Sequence, residues 1–345
     1  MKKIISVILA VVLLTASIPF YASAATKKPL SKSAGIVALR GQFESGVGPK
    51  ANGYALDYKY YSPAGNVDSK KYPLVIFLHG IGHGGSVGSQ LNDSDMPYWS
   101  SAELQSRFSD GGAYILLPRA PEEKIDFWGE SLIEPLRVLI DDFIKNHKNV
   151  DTTRIAITGS SQGGAMVWNM LESYPEYFAT AFPLASTKTP TNSILKVSSA
   201  TAIWLIASKK DPIINYELAT MPTWRDICKY NDHPENCRLS SLGTVYNPDG
   251  SRSSDNHHLA KVITYDMHTL NDGLYPEMST INGAGKTVDL TSPKGLIKWI
   301  SSIHSNFDGH TESDTVKVNP FIKIVEAIRN IGLQIVHIVQ VILGL

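Results

Sequence analysis

The chain has 345 residues, and its 32 basic and 32 acidic side chains balance to a formal net charge of zero. Nucleic-acid binding normally requires a basic face, so this balance gives no reason to expect nucleic acid as a partner. Hydrophobic residues make up 43% of the chain, which suits one large globular domain with a complete core.

The first 24 residues have the pattern of a secretory signal peptide. Lys2 and Lys3 precede an apolar stretch, and Ala22-Ser23-Ala24 supplies the small residues of a cleavage site. An uncleaved membrane anchor is the alternative, but the apolar stretch is shorter than the roughly twenty residues that span a bilayer. We therefore expect a secreted protein whose mature chain begins near Ala25.

Strands and helices are predicted to alternate through the catalytic domain, residues 25–305. An alternating strand at 54–61 is followed by four continuous apolar segments, which fit strands buried on both faces of a parallel sheet. These segments are 74–78, 113–117, 155–158 and 202–207. Helical periodicity is clearest at 134–144, and a strand at 262–265 and a helix at 295–303 complete the domain. The alternation predicts an α/β fold with a doubly wound, mostly parallel sheet, whose sites open at the carboxyl ends of the strands.

The sequence Gly159-Ser160-Ser161-Gln162-Gly163 lies where the strand at 154–158 runs directly into an apparent helix at 165–171. In a G-x-S-x-G nucleophile elbow the central serine occupies a strained turn. The flanking glycines let the strand and the helix approach closely. Ser161 is therefore the candidate nucleophile.

A second copy of the same pattern, Gly84-Gly85-Ser86-Val87-Gly88, lacks these flanks. It follows another loop rather than a strand, and it leads into a polar stretch at 90–95 with no helical periodicity. We interpret this copy as a flexible loop.

Two further residues could complete a catalytic triad with Ser161. A serine hydroxyl needs a base and a group that orients the base. In proteins with a nucleophile elbow, the three residues occur along the chain in the order Ser, Asp or Glu, His. Asp211 comes just after the strand at 202–207, and His268 just after the strand at 262–265. Asp211 also fits a simple turn before Pro212. His257 and His258 compete with His268, but they follow a polar loop.

The oxyanion of an acyl-transfer intermediate needs two backbone donors. One is the amide of Gln162, and the other is expected from the loop His79-Gly80-Ile81-Gly82, where we favour the amide of Ile81. His79 itself is expected to hold this loop by hydrogen bonds rather than to act as a base.

Three stretches of the chain resemble secreted α/β-hydrolase esterases: 71–80, the strand end at 117–121 followed by Trp128, and 150–155 leading into the elbow. Their order is similar to the feruloyl-esterase and polyhydroxybutyrate-depolymerase-like group, which includes proteins described as predicted peptidases. The likeness spans 54–303 and implies the α/β-hydrolase fold.

The run Ser161-Gln162-Gly163-Gly164 is also similar to the carboxylesterase and acyl-thioesterase branch. In that branch the residue after histidine-glycine and the glutamine after serine donate to the oxyanion, which supports Ile81 and Gln162. The residues after His268 lack the tryptophan often found near the histidine in the depolymerase-like group, so the substrate class does not carry over.

The predicted function is hydrolysis of carboxylic esters through an acyl-enzyme, without cofactor or metal ion, on a small-molecule or polymer ester. A serine peptidase of the same fold is one alternative, and a non-catalytic binding protein on a hydrolase scaffold is another. Aromatic residues in loops near the strand ends fit either a substrate pocket or simple packing. These residues are Tyr98, Trp99, Phe127 and Trp128.

The two cysteines of the chain, Cys228 and Cys237, close a short polar loop, and export makes a disulfide between them possible. In the chain-entropy account so short a closure stabilises by about 2–3 kcal/mol. A metal site with His233 between the thiols is the alternative, but it lacks a clear fourth ligand.

A polar linker at 306–319 leads to a predicted amphipathic helix at 320–345. Polar residues recur there at intervals of three or four, which leaves a broad apolar face. That face is expected either to pack on the hydrolase domain or on another copy of the chain, or to lie in a membrane interface. The latter would keep the secreted enzyme at a surface.

Overall fold

A computed structural model describes the chain at residues 38–65, 69–121, 128–190, 201–208, 211 and 213–230. It also describes 237–241, 244–246, 260–265, 280–281, 287–288 and 296–305. The signal peptide, His268, the linker and the C-terminal helix lie outside the described residues, and the predictions made for them remain predictions.

The strands in this part of the chain are β1 (Glu44–Val47), β2 (Asp57–Tyr61), β3 (Tyr72–Leu78), β4 (Tyr114–Pro118), β5 (Val150–Ser160), β6 (Thr180–Leu184), β7 (Ala202–Ser208), β8 (Cys237–Ser241), β9 (Thr244–Tyr246), β10 (Ala260–Tyr265), β11 (Thr280–Ile281) and β12 (Thr287–Val288). The helices are α1 (Ala102–Gln105), α2 (Ile133–Asn146), α3 (Gln162–Ser173), α4 (Met221–Tyr230) and α5 (Leu296–Ser302). Short 3-10 segments cover Ser89–Ser100 and Glu130–Leu132, and a π-helical turn covers Tyr216–Thr220.

Ten of the described strands form one sheet in the order β1-β2-β4-β3-β5-β6-β7-β10-β8-β9. The seven strands from β4 to β8 in this order are parallel to one another, and antiparallel strands lie at both edges. The predicted doubly wound, mostly parallel sheet is therefore confirmed. Every apolar segment assigned to a strand in the sequence coincides with one of these strands to within one residue.

Side chains of alternate residues in the central strands pack into two separate cores, one on each face of the sheet. In β3, Leu74 and Ile76 join one core, and Val75 and Phe77 join the other. Helices α2, α3 and α4 cover the first face, whereas α5 and the segment Ser89–Ser100 cover the second. Neither face of such a strand is exposed to water, which explains why these segments are continuously apolar. All described residues belong to one compact unit, and no described helix is long and apolar enough to cross a bilayer.

Several elements differ from the sequence prediction. The polar stretch at 90–95, interpreted as a loop, lies within consecutive 3-10 turns at Ser89–Ser100. Strand β6 and helix α4 were not predicted. In β6 the cause is Pro183, which argues against a central strand because proline cannot donate to the ladder.

The two cysteines lie on different elements, Cys228 near the end of α4 and Cys237 at the start of β8. The structure does not describe the side chains of Cys228 and Cys237, so the disulfide between them stays a prediction.

Candidate active site

Ser161 lies at the junction of β5 and α3 with a φ of 51° and a ψ of −108°. A non-glycine residue rarely adopts a positive φ, because its Cβ then crowds the backbone; such strain persists only where the surroundings impose it. The Ser161 amide donates to the Leu184 carbonyl of the neighbouring strand at 2.9 Å, which holds the strained residue in place. Its side chain does not cap α3, so the hydroxyl is not committed to the helix.

Gly159 and Gly163 allow this geometry. A Cβ at Gly163 would lie 1.9 Å from the Leu78 carbonyl oxygen, and one at Gly159 would lie 2.5 Å from the Gly163 carbonyl carbon. Real Cβ atoms do not approach other atoms so closely, and therefore the strand-to-helix turn requires glycine on both sides of the serine. The second G-x-S-x-G copy is different: Gly84 to Gly88 form turns, and Ser86 is exposed.

The loop that was expected to supply an oxyanion donor follows β3, and three of the four hydrogen-bonding groups in its peptide bonds 79–80 and 80–81 are held by hydrogen bonds. The His79 carbonyl accepts from Trp128 Nε1 at 2.8 Å, and the Gly80 amide donates to Asp93 Oδ2 at 2.5 Å. The Gly80 carbonyl accepts from the His79 ring at Nδ1, 2.8 Å away. The fourth group, the Ile81 amide, has no hydrogen-bond partner among the described residues.

These contacts orient the Ile81 amide. A trans peptide points its N–H opposite to its carbonyl, so fixing the Gly80 carbonyl on the His79 ring fixes the direction of the Ile81 N–H. The Gly80 amide is occupied by Asp93 and is not available to a substrate. Of the Gly80 and Ile81 amides, Ile81 is therefore the one that remains available to an oxyanion.

The second expected donor, the Gln162 amide, belongs to the first residue of α3. The first amides of an α-helix have no partner within the helix, and the helix dipole favours negative charge there. The start of α3 is thus suited to an anion.

His79 is fully buried, and burial lowers its pKa from 6.5 to about 4. Its Nε2 accepts from the Ala120 amide at 3.1 Å, so the proton of the neutral ring lies on Nδ1, which donates to the Gly80 carbonyl. The Trp128 ring lies 5.1 Å away. Because both ring nitrogens are hydrogen-bonded to backbone groups, His79 holds the loop together, as expected from the sequence.

Asp211 follows β7, three residues after Ser208. Its Oδ1 accepts from the amides of Ile213 and Ile214 at 2.8 and 2.9 Å. One carboxylate oxygen therefore stabilises the turn that the sequence offered as the alternative role of Asp211. Strand β10 pairs with β7 in parallel, with Tyr265 opposite Ser208. His268, three residues beyond Tyr265, is outside the described residues, as are His257 and His258.

The loop aromatics that the structure describes are core residues. Trp99 is fully buried and stacks on Phe182, with ring centroids 6.2 Å apart, and Tyr98 is also buried. Trp128 packs on His79. Phe127 is outside the described residues. For the other three aromatics, packing rather than a substrate pocket is what the contacts show.

A small, half-open cleft lies beside α3, between the ends of β6 and β7 and the segment leading into α4. Lys188 lines it and is largely buried, with its ammonium 2.7 Å from Asn169 Oδ1 and 3.5 Å from Glu172 Oε2. Ser161 is not among the lining residues, so the cleft is not assigned to the substrate. The described residues bring together no group of three or more histidine, cysteine or acidic side chains that could hold a metal ion.

Comparison with known proteins identifies the fold of the chain. The sequence matches no protein-family model and no curated protein. Among solved structures, a thermostable esterase aligns with a TM-score of 0.54 and 18% identity, covering 77% of this chain and 64% of that chain. An esterase from the planctomycete Thermogutta terrifontis aligns with a TM-score of 0.44 and 12% identity, covering 66% and 84%.

An acylaminoacyl peptidase aligns with a TM-score of 0.42 and 15% identity, covering 66% of this chain and 37% of that chain. The chain thus spans less than two thirds of the thermostable esterase and of the peptidase. The first likeness shows the fold: the chain has the α/β-hydrolase fold, as the sequence predicts.

Proposed function

We propose that the protein is a serine hydrolase that cleaves carboxylic esters through an acyl-enzyme. The observation that carries this proposal is the strained φ of 51° at Ser161, at a strand-to-helix turn that excludes any side chain at Gly159 and Gly163. Backbone strain of this kind is concentrated at active sites and ligand-binding sites. The oriented amide of Ile81 and the first amide of α3 support it.

In the proposed mechanism, Ser161 Oγ attacks the ester carbonyl while His268 accepts its proton. Asp211 stabilises the resulting imidazolium, and the amides of Ile81 and Gln162 bind the oxyanion. The bond to the alcohol breaks as His268 returns the proton to the leaving oxygen. Water then attacks the acyl-enzyme by the same route and releases the acid and Ser161. The pairing of β7 with β10, which brings the strand ends before Asp211 and His268 side by side, supports these two roles.

The test uses the two serines of the two G-x-S-x-G copies. We expect Ser161→Ala to lower kcat for a short p-nitrophenyl ester by roughly 10³-fold or more, and to abolish labelling by a fluorophosphonate. Ser86→Ala, at an exposed turn, serves as the matched control and should keep wild-type activity. Full activity in a folded Ser161→Ala variant would overturn the proposal.

Preference for esters over amides is part of the proposal and has its own measurement. The same triad cleaves peptides, so the purified protein is compared on a p-nitrophenyl ester and on the p-nitroanilide of the same acid. We expect hydrolysis of the ester and not of the anilide. Faster turnover of the anilide would identify a peptidase, and absence of fluorophosphonate labelling in the wild type would identify a non-catalytic protein.

We also propose that the enzyme is secreted, on the strength of the signal-peptide pattern at residues 1–24. The amphipathic pattern at 320–345 supports a surface association of the exported enzyme.

A further inference from the structure

A buried carboxylate connects the two halves of the candidate site. Asp93, on the 3-10 segment Ser89–Ser100, is 2% exposed. Its Oδ2 accepts from Ser160 Oγ at 2.6 Å and from the Gly80 amide at 2.5 Å. Ser160 directly precedes the candidate nucleophile, and Gly80 directly precedes the candidate oxyanion donor. One oxygen atom therefore joins the elbow to the oxyanion loop.

The contact is close on both sides. A Cβ at Gly80 would lie 3.0 Å from Ser160 Oγ and 3.4 Å from Asp93 Oδ2, so the loop lies directly against the elbow. His83 Nδ1 is 3.6 Å from the same carboxylate oxygen, beyond hydrogen-bonding distance. Ser160 is 1% exposed, so its hydroxyl does not face solvent and its bond to Asp93 is well shielded from water.

We propose that Asp93 is a positioning residue of the ester hydrolase, which sets the distance between Ser161 and the Ile81 amide by binding Ser160 and Gly80 together. The inference rests on the proposed function. An oxyanion donor stabilises the transition state only where it lies about 3 Å from the oxygen that becomes charged. The candidate nucleophile and donor lie just beyond the ends of two paired strands, β5 and β3, so their spacing depends on what links the elbow to the loop after β3.

The predicted kinetic effect follows from this geometry. Asp93→Ala removes the acceptor for both donors, and a displacement of about 1 Å between reacting groups can lower the rate by roughly 100-fold. We expect kcat for a p-nitrophenyl ester to fall by roughly 10- to 100-fold with KM changed less than about twofold, because ground-state binding does not use the oxyanion contact. The affinity for a trifluoromethyl ketone, whose adduct carries the oxyanion, should fall by a similar factor.

Three variants separate positioning from a purely structural role. Asp93→Asn keeps an oxygen that can accept from both Ser160 and Gly80, and it should recover most of kcat. Ser160→Ala should lower kcat partly, and adding it to Asp93→Ala should cause little further loss because the two act through one contact. Asp142→Ala, which removes a carboxylate on α2 bonded to Asn146, is the matched control and should leave kcat unchanged.

All rates are divided by the concentration of active sites titrated with a fluorophosphonate, so that loss of folded protein does not count as loss of catalysis. A folded Asp93→Ala variant with unchanged kcat per site, or with only KM changed, overturns the inference while the proposed function stands. If Asp93→Ala does not fold, wild-type kcat in folded Ser160→Ala overturns it. A wild-type protein that the fluorophosphonate does not label refutes the proposed function instead.

Discussion

At the scale of single residues, burial decides which titratable groups can take part in chemistry. His79 follows β3 at the sheet edge where the candidate site lies, yet its ring is out of contact with water and both of its nitrogens are bonded to backbone. Burial penalises the charged ring and lowers its pKa to about 4, so the ring is neutral at physiological pH. In this state it holds the Gly80 carbonyl, and through it the Ile81 amide.

The lowered pKa of His79 predicts a loss of stability in acid. Between pH 6.5 and about 4, His79 is protonated in the unfolded chain but neutral in the folded chain. The free energy of unfolding therefore falls as the pH is lowered through this window. The contribution of His79 to this slope is at most about 1.4 kcal/mol per pH unit. His79→Asn keeps a donor near Nδ1 but does not titrate. We expect its urea-unfolding free energy to depend less on pH than that of the wild type, and parallel profiles would contradict this.

At the scale of elements, the turn from β5 into α3 depends on the absence of two side chains. Gly163 packs against the end of β3, and there is no room for a methyl group beside the Leu78 carbonyl. Because β3 and β5 are neighbouring strands of the sheet, α3 cannot move away without opening the centre of the fold. The strain at Ser161 is therefore maintained by packing around it.

Substitution of Gly163 by alanine tests this packing. We expect Gly163→Ala to destabilise the protein by about 3 kcal/mol or more, or to prevent folding, because the added methyl group overlaps the Leu78 and His79 backbone. Gly85→Ala is the control: its Cβ would meet only Ser89 Oγ at 4.0 Å, and the change should stay within about 0.5 kcal/mol. Urea unfolding of the two variants measures the difference, and equal stability would show that the turn adapts.

The segment Ser89–Ser100 shows why an element beside the candidate site was missed in the sequence. Its buried side chains include Gln90, Asp93, Met96 and Trp99, which are three residues apart. That spacing matches the three residues per turn of a 3-10 helix and not the 3.6 of an α-helix, so a search for α-helical periodicity finds nothing. Asp93, which the site depends on in our proposal, lies in the stretch that looked like a polar loop.

At the scale of the whole molecule, Arg154 links parts of the chain that are far apart in sequence. Its guanidinium bonds to Asp151 at 2.7 Å and to Asp110 at 2.5 Å. It also donates to the Lys71 carbonyl before β3 at 3.1 Å and to the Ser301 carbonyl in α5 at 3.3 Å. The arginine is 7% exposed, so these contacts are largely shielded from water. They join the start of the central strands to the last described helix.

Removal of Arg154 should therefore be costly. We expect Arg154→Ala to lower the free energy of unfolding by about 3 kcal/mol, because it takes away the cation that pairs with both the Asp151 and the Asp110 carboxylates. Lys145→Ala, at an exposed position of α2, removes the same charge and should change stability little. Denaturant unfolding at neutral pH compares the two. A loss below about 1 kcal/mol in Arg154→Ala would mean that the network contributes no more than a surface ion pair.

The sequence by itself determined the class of the fold and the place of the candidate nucleophile. Local signals carry both: continuous apolar segments indicate strands buried on two faces, and a glycine-flanked serine between a strand and a helix indicates an elbow. The tertiary structure alone supplied the strand order, the contacts that occupy the Gly80 amide and orient the Ile81 amide already favoured from the sequence, and the contacts behind the role proposed for Asp93. Residues 80, 93 and 160 meet only because β3, β5 and the 3-10 segment pack together, and no local pattern records a contact across such distances in the chain.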